Sequence, residues 1–170
     1  FANRVNIYDS LSNEAKDFGG GWTPKNYGGT SGGKTTVSEA LIHSMNIPTV
    51  YLADQVGIRK IIETAEACGI STLVTDGPYN DINLAAALGG LTNGVSVWDM
   101  AKAYSVFANG GRLVEPRIIL KVVDRSGNVL EDNTGTAESK QVVDEKAAWK
   151  LTSVLEEVIS RGTGGNAYIG

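Results

Sequence analysis

Apolar residues in this chain recur mostly three and four apart, the spacing of helices, and the alternation of a half-buried strand is confined to one stretch. The first helical stripe, Val37, Ala40 and Leu41, begins just after Thr36, which stands three residues before Glu39 as in a capping box. That helix is expected to stop by Asn46 and Ile47, because Pro48 restricts the residue before it and has no N–H to continue the ladder. Pro48 is then expected to open the next helix at its first position. Stripes over 48–56 and 58–68 predict two more helices, with Gly57 between them and Gly69 as a left-handed stop. A brief helical turn is expected over 82–88. Ser96 and Asp99 repeat the capping spacing, and Val97, Met100, Ala101, Tyr104 and Phe107 line one face of a helix that Asn109-Gly110-Gly111 ends. Ile118, Leu120 and Val122, then Val129, flank Asp124-Arg125-Ser126-Gly127-Asn128 and predict a β-hairpin near 117–131. Residues 134–139 are a polar linker. Asp144 then caps a helix with Ala148, Leu151, Val154, Leu155, Val158 and Ile159 on one side, and Gly162 stops it. The expected architecture is mainly α, α+β overall, with one hairpin. A Gly-rich irregular arm over 1–35 leads into a single helical unit over 36–170, without the strand-helix alternation of a doubly wound sheet.

Composition narrows the function classes. The 170 residues suit one domain able to bury roughly 70% of its unfolded surface. With 15 Lys and Arg against 19 Asp and Glu, the net charge of -4 offers no basic footprint for nucleic acid or an anionic membrane. Cys68 and His43 are each the sole residue of their type, which excludes an internal disulfide and leaves no Cys/His cluster at zinc spacing. No apolar run reaches bilayer length and no secretory leader pattern is present, so the chain as it stands is expected to be soluble. It begins at Phe1 without an initiator Met and closes at Gly170, and is read as an excised piece of something longer.

Three motifs bear on chemistry. Gly28-Gly29-Thr30-Ser31-Gly32-Gly33-Lys34-Thr35 fits the Walker A expression and motivates an alternative reading as a P-loop nucleotide binder, although residues 19–27 cannot supply the buried strand that such a loop leaves. Within it, Ser31-Gly32-Gly33-Lys34 is formally S-x-x-K, but two glycines argue against the helical turn that would bring hydroxyl and amine together. His43 has no nucleophile signal beside it, which makes a Ser-His-Asp triad a weak reading. The third motif, Ser44-Met45-Asn46, is a common tripeptide whose surroundings make it specific.

Gly21-Trp22-Thr23-Pro24-Lys25-Asn26-Tyr27, then Thr36-Val37-Ser38-Glu39-Ala40-Leu41, then Ser44-Met45-Asn46-Ile47-Pro48-Thr49-Val50 resemble the transpeptidase domain of bifunctional class A penicillin-binding proteins. Leu88-Gly89-Gly90, the stretch from Met100 to Gly111, Pro116 and Gly162-Thr163-Gly164 resemble the same family in the same order. The resemblance implies the helical subdomain of a penicillin-binding/serine β-lactamase-like fold, lying between an S-x-x-K motif upstream and a K-T-G motif just past Gly170. It implies a parent that cross-links peptidoglycan stem peptides through a serine acyl-enzyme, binds β-lactams, needs no cofactor or metal, and sits membrane-anchored on the extracytoplasmic face of a bacterial cell. In that setting Ser44 would relay a proton towards the leaving amine, and Asn46 would hold the general-base lysine and the substrate amide. Tyr27 would form an apolar lip for the stem peptide, or would simply pack. The hydroxyl donates and accepts, and the carboxamide does both without titrating. The segment alone, lacking nucleophile and base, is expected to be inactive and to need the rest of the domain. A noncatalytic transpeptidase-like binding module is the remaining alternative.

Overall fold

A computed structural model describes residues 5–135 and 137–167 of the chain. Its body is helical: α1 (Val37–Ile42), α2 (Asn46–Val56), α3 (Ile58–Ala67), α4 (Val97–Ala108) and α5 (Glu145–Ser160). The local signals for these elements are realised atom by atom. Thr36 Oγ1 accepts from Glu39 N at 3.2 Å, Ser96 Oγ from Asp99 N at 3.0 Å and Asp144 Oδ1 from Ala147 N at 3.1 Å, each satisfying a donor that a helix start leaves orphaned. At the end of α3, Gly69 turns left-handed at φ +98°, and Gly69 and Ile70 N–H return to the carbonyls of Glu66 and Ala65, a Schellman ending.

Two boundaries differ from the sequence reading. The first helix ends earlier, at Ile42, and the next begins at Asn46, so Pro48 occupies a third helical position instead of the first. Its missing N–H costs nothing there, because the first four N–H groups of a helix have no intrahelical partner. The tripeptide Ser44-Met45-Asn46 therefore joins two helices, where the sequence placed it at the end of one.

Strands are more numerous than the one expected hairpin. Among the described residues there are three separate two-stranded antiparallel ribbons. β1 (Ser10–Ser12) pairs with β2 (Lys34–Thr36), Leu11 facing Thr35, inside the arm expected to be irregular. β3 (Arg112–Val114) pairs with β6 (Ser139–Gln141), so part of the stretch read as linker is strand. β4 (Lys121–Val123) and β5 (Val129–Asp132) form the expected hairpin, with an irregularity between Val122 and Val123. The first two ribbons join segments far apart in sequence, and no local pattern announces such a partner. Residues 84–88 form a 3-10 turn capped by Asn83 Oδ1, which accepts from Ala85 N at 3.0 Å.

The core lies where α1, α2 and α5 meet, with Val37, Ile42, Ile47, Val50, Ala148 and Val154 all buried. A second cluster, Cys68, Ile70, Ala103 and Val106, ties the end of α3 to the inner face of α4. That inner face is not the expected stripe. Asp99, Ala103 and Val106 point inward, while Val97 (88% exposed), Met100 and Tyr104 face out. Periodicity shows which face of a helix is apolar, and here the small residues face the available core while Asp99 accepts from Ser71 N and Oγ at 3.0 and 2.7 Å.

Candidate functional site

Ser44 occupies an unusual backbone position. Its φ of +50° is the only positive value at a non-glycine among the described residues. The cause is the way α1 ends: Ser44 N–H returns to Leu41 O at 3.2 Å and Met45 N–H to Ala40 O at 2.8 Å, which puts Ser44 at the left-handed position that helix endings usually give to Gly. An L-residue there costs roughly 1 kcal/mol, and strain of this kind concentrates at functional positions. The side chain is exposed, and Ser44 Oγ lies 3.3 Å from Thr163 Oγ1.

Thr163 arrives from the turn after α5, and that turn is sewn to the end of α1. Thr163 N–H donates to Ile42 O at 3.2 Å, satisfying the last carbonyl of the helix. Gly162 allows the approach, since a Cβ on it would sit 2.4 Å from the same oxygen. Arg161 places its guanidinium 2.6 Å from Glu39 Oε1 and 2.6 Å from Glu157 Oε2, and His43 Nε2 lies 3.2 Å from Glu39 Oε2. Arg161 holds the Glu39 carboxyl below its ordinary range, and the two carboxylates raise the Arg161 guanidinium.

Asn46, the first residue of α2, turns the other way along the chain. Its Nδ2 donates to Lys25 O at 2.7 Å, and among the described residues nothing donates to its Oδ1. Next to that contact, buried Asn26 accepts from Ile47 N at 2.9 Å and donates to Asn13 Oδ1 and Thr30 O at 2.7 and 2.8 Å. Asn26 is thus a cap for α2 supplied from far upstream, where Met45 itself offers none. The arm is fastened to the S-x-N segment at Lys25 and Asn26, and Tyr27, 99% exposed, follows them. The structure brings Ser44, Asn46 and the Tyr27 segment into one region, with Ser44 leaning on the α5 turn and Asn46 on the arm. Sequence reasoning missed Thr163 and Asn26. The only available signal was their membership in the Gly-Thr-Gly and Pro-Lys-Asn-Tyr stretches, which says nothing about what they touch.

The phosphate-loop alternative loses its geometry. Lys34 and Thr35 are strand residues of β2, paired with Ser12 and Leu11, so the lysine does not open a helix beneath a phosphate cradle. Ser31 and Lys34 likewise do not share a helix. An open apolar groove of about 440 Å³ runs along α4, lined by Val95, Ser96, Val97, Met100, Ala101 and Tyr104 and by none of the S-x-N residues. No described helix is long and apolar enough to cross a membrane.

Comparison with known proteins gives the same direction. The family model described as the penicillin binding protein transpeptidase domain matches residues 2–168. The chain is 35% identical over 156 residues to penicillin-binding protein 1F of Bacillus subtilis (strain 168), covering 92% of this chain and 20% of that protein. It is 33% identical over 155 residues to penicillin-binding protein 1A of Clostridium novyi (strain NT), covering 91% and 17%. Among solved structures, the PonA1 protein from Mycobacterium tuberculosis in complex with penicillin V superposes with a TM-score of 0.81 at 25% identity, over 93% of this chain and 44% of that one. The D,D-transpeptidase domain of a peptidoglycan glycosyltransferase from Eggerthella lenta shares the fold, with a TM-score of 0.78 at 22% identity. The chain spans about a fifth of the length of the curated relatives it matches. On sequence and fold together, it belongs to the penicillin-binding protein transpeptidase domain family.

Proposed function

We propose that this chain is the S-x-N-bearing portion of a peptidoglycan D,D-transpeptidase, and that Ser44 and Asn46 act in its acyl-transfer site. The parent works at the outer face of a bacterial membrane, where the serine of an S-x-x-K motif beyond this chain attacks the penultimate D-Ala carbonyl of a stem peptide while the lysine of that motif takes the hydroxyl proton. The C–N bond to the terminal D-Ala breaks and the leaving amine takes a proton. The acyl group then passes to an amine on a neighbouring strand. β-Lactams acylate the same serine. The isolated chain, without nucleophile and base, is inactive.

In this reading Ser44 Oγ passes the proton on its way to the leaving amine, since a hydroxyl gives one proton while accepting another. Asn46 keeps its donor on Lys25 O and offers Oδ1 to the lysine ammonium or the substrate amide. Tyr27 lends an exposed ring as an apolar lip for the stem peptide. The single observation that carries the proposal is the left-handed serine: a hydroxyl is kept where Gly would be less strained.

The test separates stability from function. In the parent protein, Ser44→Gly is expected to leave thermal stability unchanged or raise it by about 1 kcal/mol, through relief of the left-handed strain. Acylation by fluorescent penicillin is expected to slow by about 100-fold, at the lower end of what an acid-base group supplies. Equal acylation by wild type and Ser44→Gly would refute the relay. Labelling of the bare 170-residue chain would refute its inactivity.

A further inference from the structure

We infer that Thr163 is a positioning residue for Ser44, fixing the direction of its hydroxyl, and that the ion-paired turn around Arg161 exists to hold Thr163 in place. This rests on the relay role proposed for Ser44.

A serine hydroxyl is a free rotor with three staggered wells, and a relay needs its proton and lone pairs aimed. An exposed Ser44 has no such direction from its own helix end. Thr163 provides one: its Oγ1 lies 3.3 Å from Ser44 Oγ, its own N–H is tied to Ile42 O at 3.2 Å, and its β-branch makes it stiff at χ1. The reference point is therefore anchored to the same helix end that carries Ser44. The turn bearing it is anchored twice more. Gly162 lies so close to Ile42 O that a Cβ would meet it at 2.4 Å, and Arg161 spans Glu39 of α1 and Glu157 of α5 at 2.6 Å each. Three consecutive residues thus serve one alignment: Arg161 clamps the helices, Gly162 admits the approach and Thr163 presents the hydroxyl. Thr163 itself neither gains nor loses a proton in the step. It only limits which way Ser44 points.

The experiment uses the parent protein and fluorescent penicillin, with the noncovalent affinity and the acylation rate constant measured separately. Thr163→Val keeps shape and removes the hydroxyl; it is expected to slow acylation about fivefold to tenfold, the size of one neutral hydrogen bond, with the noncovalent affinity unchanged. Thr163→Ser should restore the rate to within about twofold, because the hydroxyl returns. Adding Thr163→Val to Ser44→Ala should slow acylation no further than Ser44→Ala alone, as expected for residues acting through one another. Where the valine protein fails to fold, Thr163→Ala removes the same hydroxyl without placing a methyl group where it stood. Thr163→Val or Thr163→Ala acylating at the wild-type rate beside an impaired Ser44→Ala overturns this inference alone. Ser44→Ala acylating at full rate overturns the relay and this inference with it.

Discussion

At the scale of single residues, Asn26 shows how one polar side chain can tie together segments distant in sequence. It is buried, yet its carboxamide is satisfied by Ile47 N, Asn13 and Thr30, which between them belong to α2 and to both limbs of the arm. Removing it uncaps α2 and leaves buried groups without partners. Asn26→Ala is expected to cost about 2–3 kcal/mol, combining a lost cap with unsatisfied polar atoms, as read from urea denaturation of the chain. The polar and strained residues of the site were legible unequally. Ser44 and Asn46 stood out because their motif sits among family-like flanks. Their partners Thr163 and Lys25 did not, because a contact across 119 residues, as between Ser44 and Thr163, leaves no trace in spacing.

Among elements, helices were legible and ribbons were not, for a physical reason. A cap such as Thr36 with Glu39 or Ser96 with Asp99 is complete within four positions, so sequence alone contains both partners. β1 and β2 are separated by the glycine-rich loop, and their pairing depends on a closure that no local residue specifies. The same holds for the long connection between α3 and α4, which has little regular structure and is held by carboxylates. Asp81, 1% exposed, accepts from Val74 N at 2.8 Å, Thr92 N at 2.7 Å and Thr92 Oγ1 at 2.8 Å. Burial would raise its pKa, but the hydrogen bonds together outweigh it and the carboxyl titrates below its ordinary 3.8. The hydrogen bonds from Ser71 lower Asp99 in the same direction. A folded-state value below the unfolded one contributes stability that is present above the unfolded value and is lost as pH falls through the folded one. The chain should therefore lose stability on acidification below about pH 4, where unfolded carboxylates begin to bind protons. Asp81→Asn should lower stability at neutral pH and flatten that acid dependence, as followed by circular dichroism melts at stepped pH.

For the molecule as a whole, the outward stripe on α4 is the main departure from a self-contained fold. Val97, Met100 and Tyr104 are exposed and line the groove, and Ile118, Ile119, Leu120 and Leu130 are exposed in and before the hairpin. Apolar surface of this kind drives association in water. Val97→Glu adds charge at a helix N-terminus, where a negative group is favourable by about 0.3–1 kcal/mol. It is expected to leave the melting temperature unchanged or higher and to reduce concentration-dependent self-association of the isolated chain in sedimentation velocity; unchanged self-association would place the sticky surface elsewhere. The hairpin of β4 and β5 has a different consequence. Among the described residues it shares no edge with another ribbon, and every residue of β5 is exposed. It also makes, among the described residues, none of the hydrogen bonds that hold Ser44 and Asn46. Changes in length are therefore absorbed most cheaply at its tip, around Ser126 and Gly127, where an insertion lengthens a loop and leaves Ser44 and Asn46 in register.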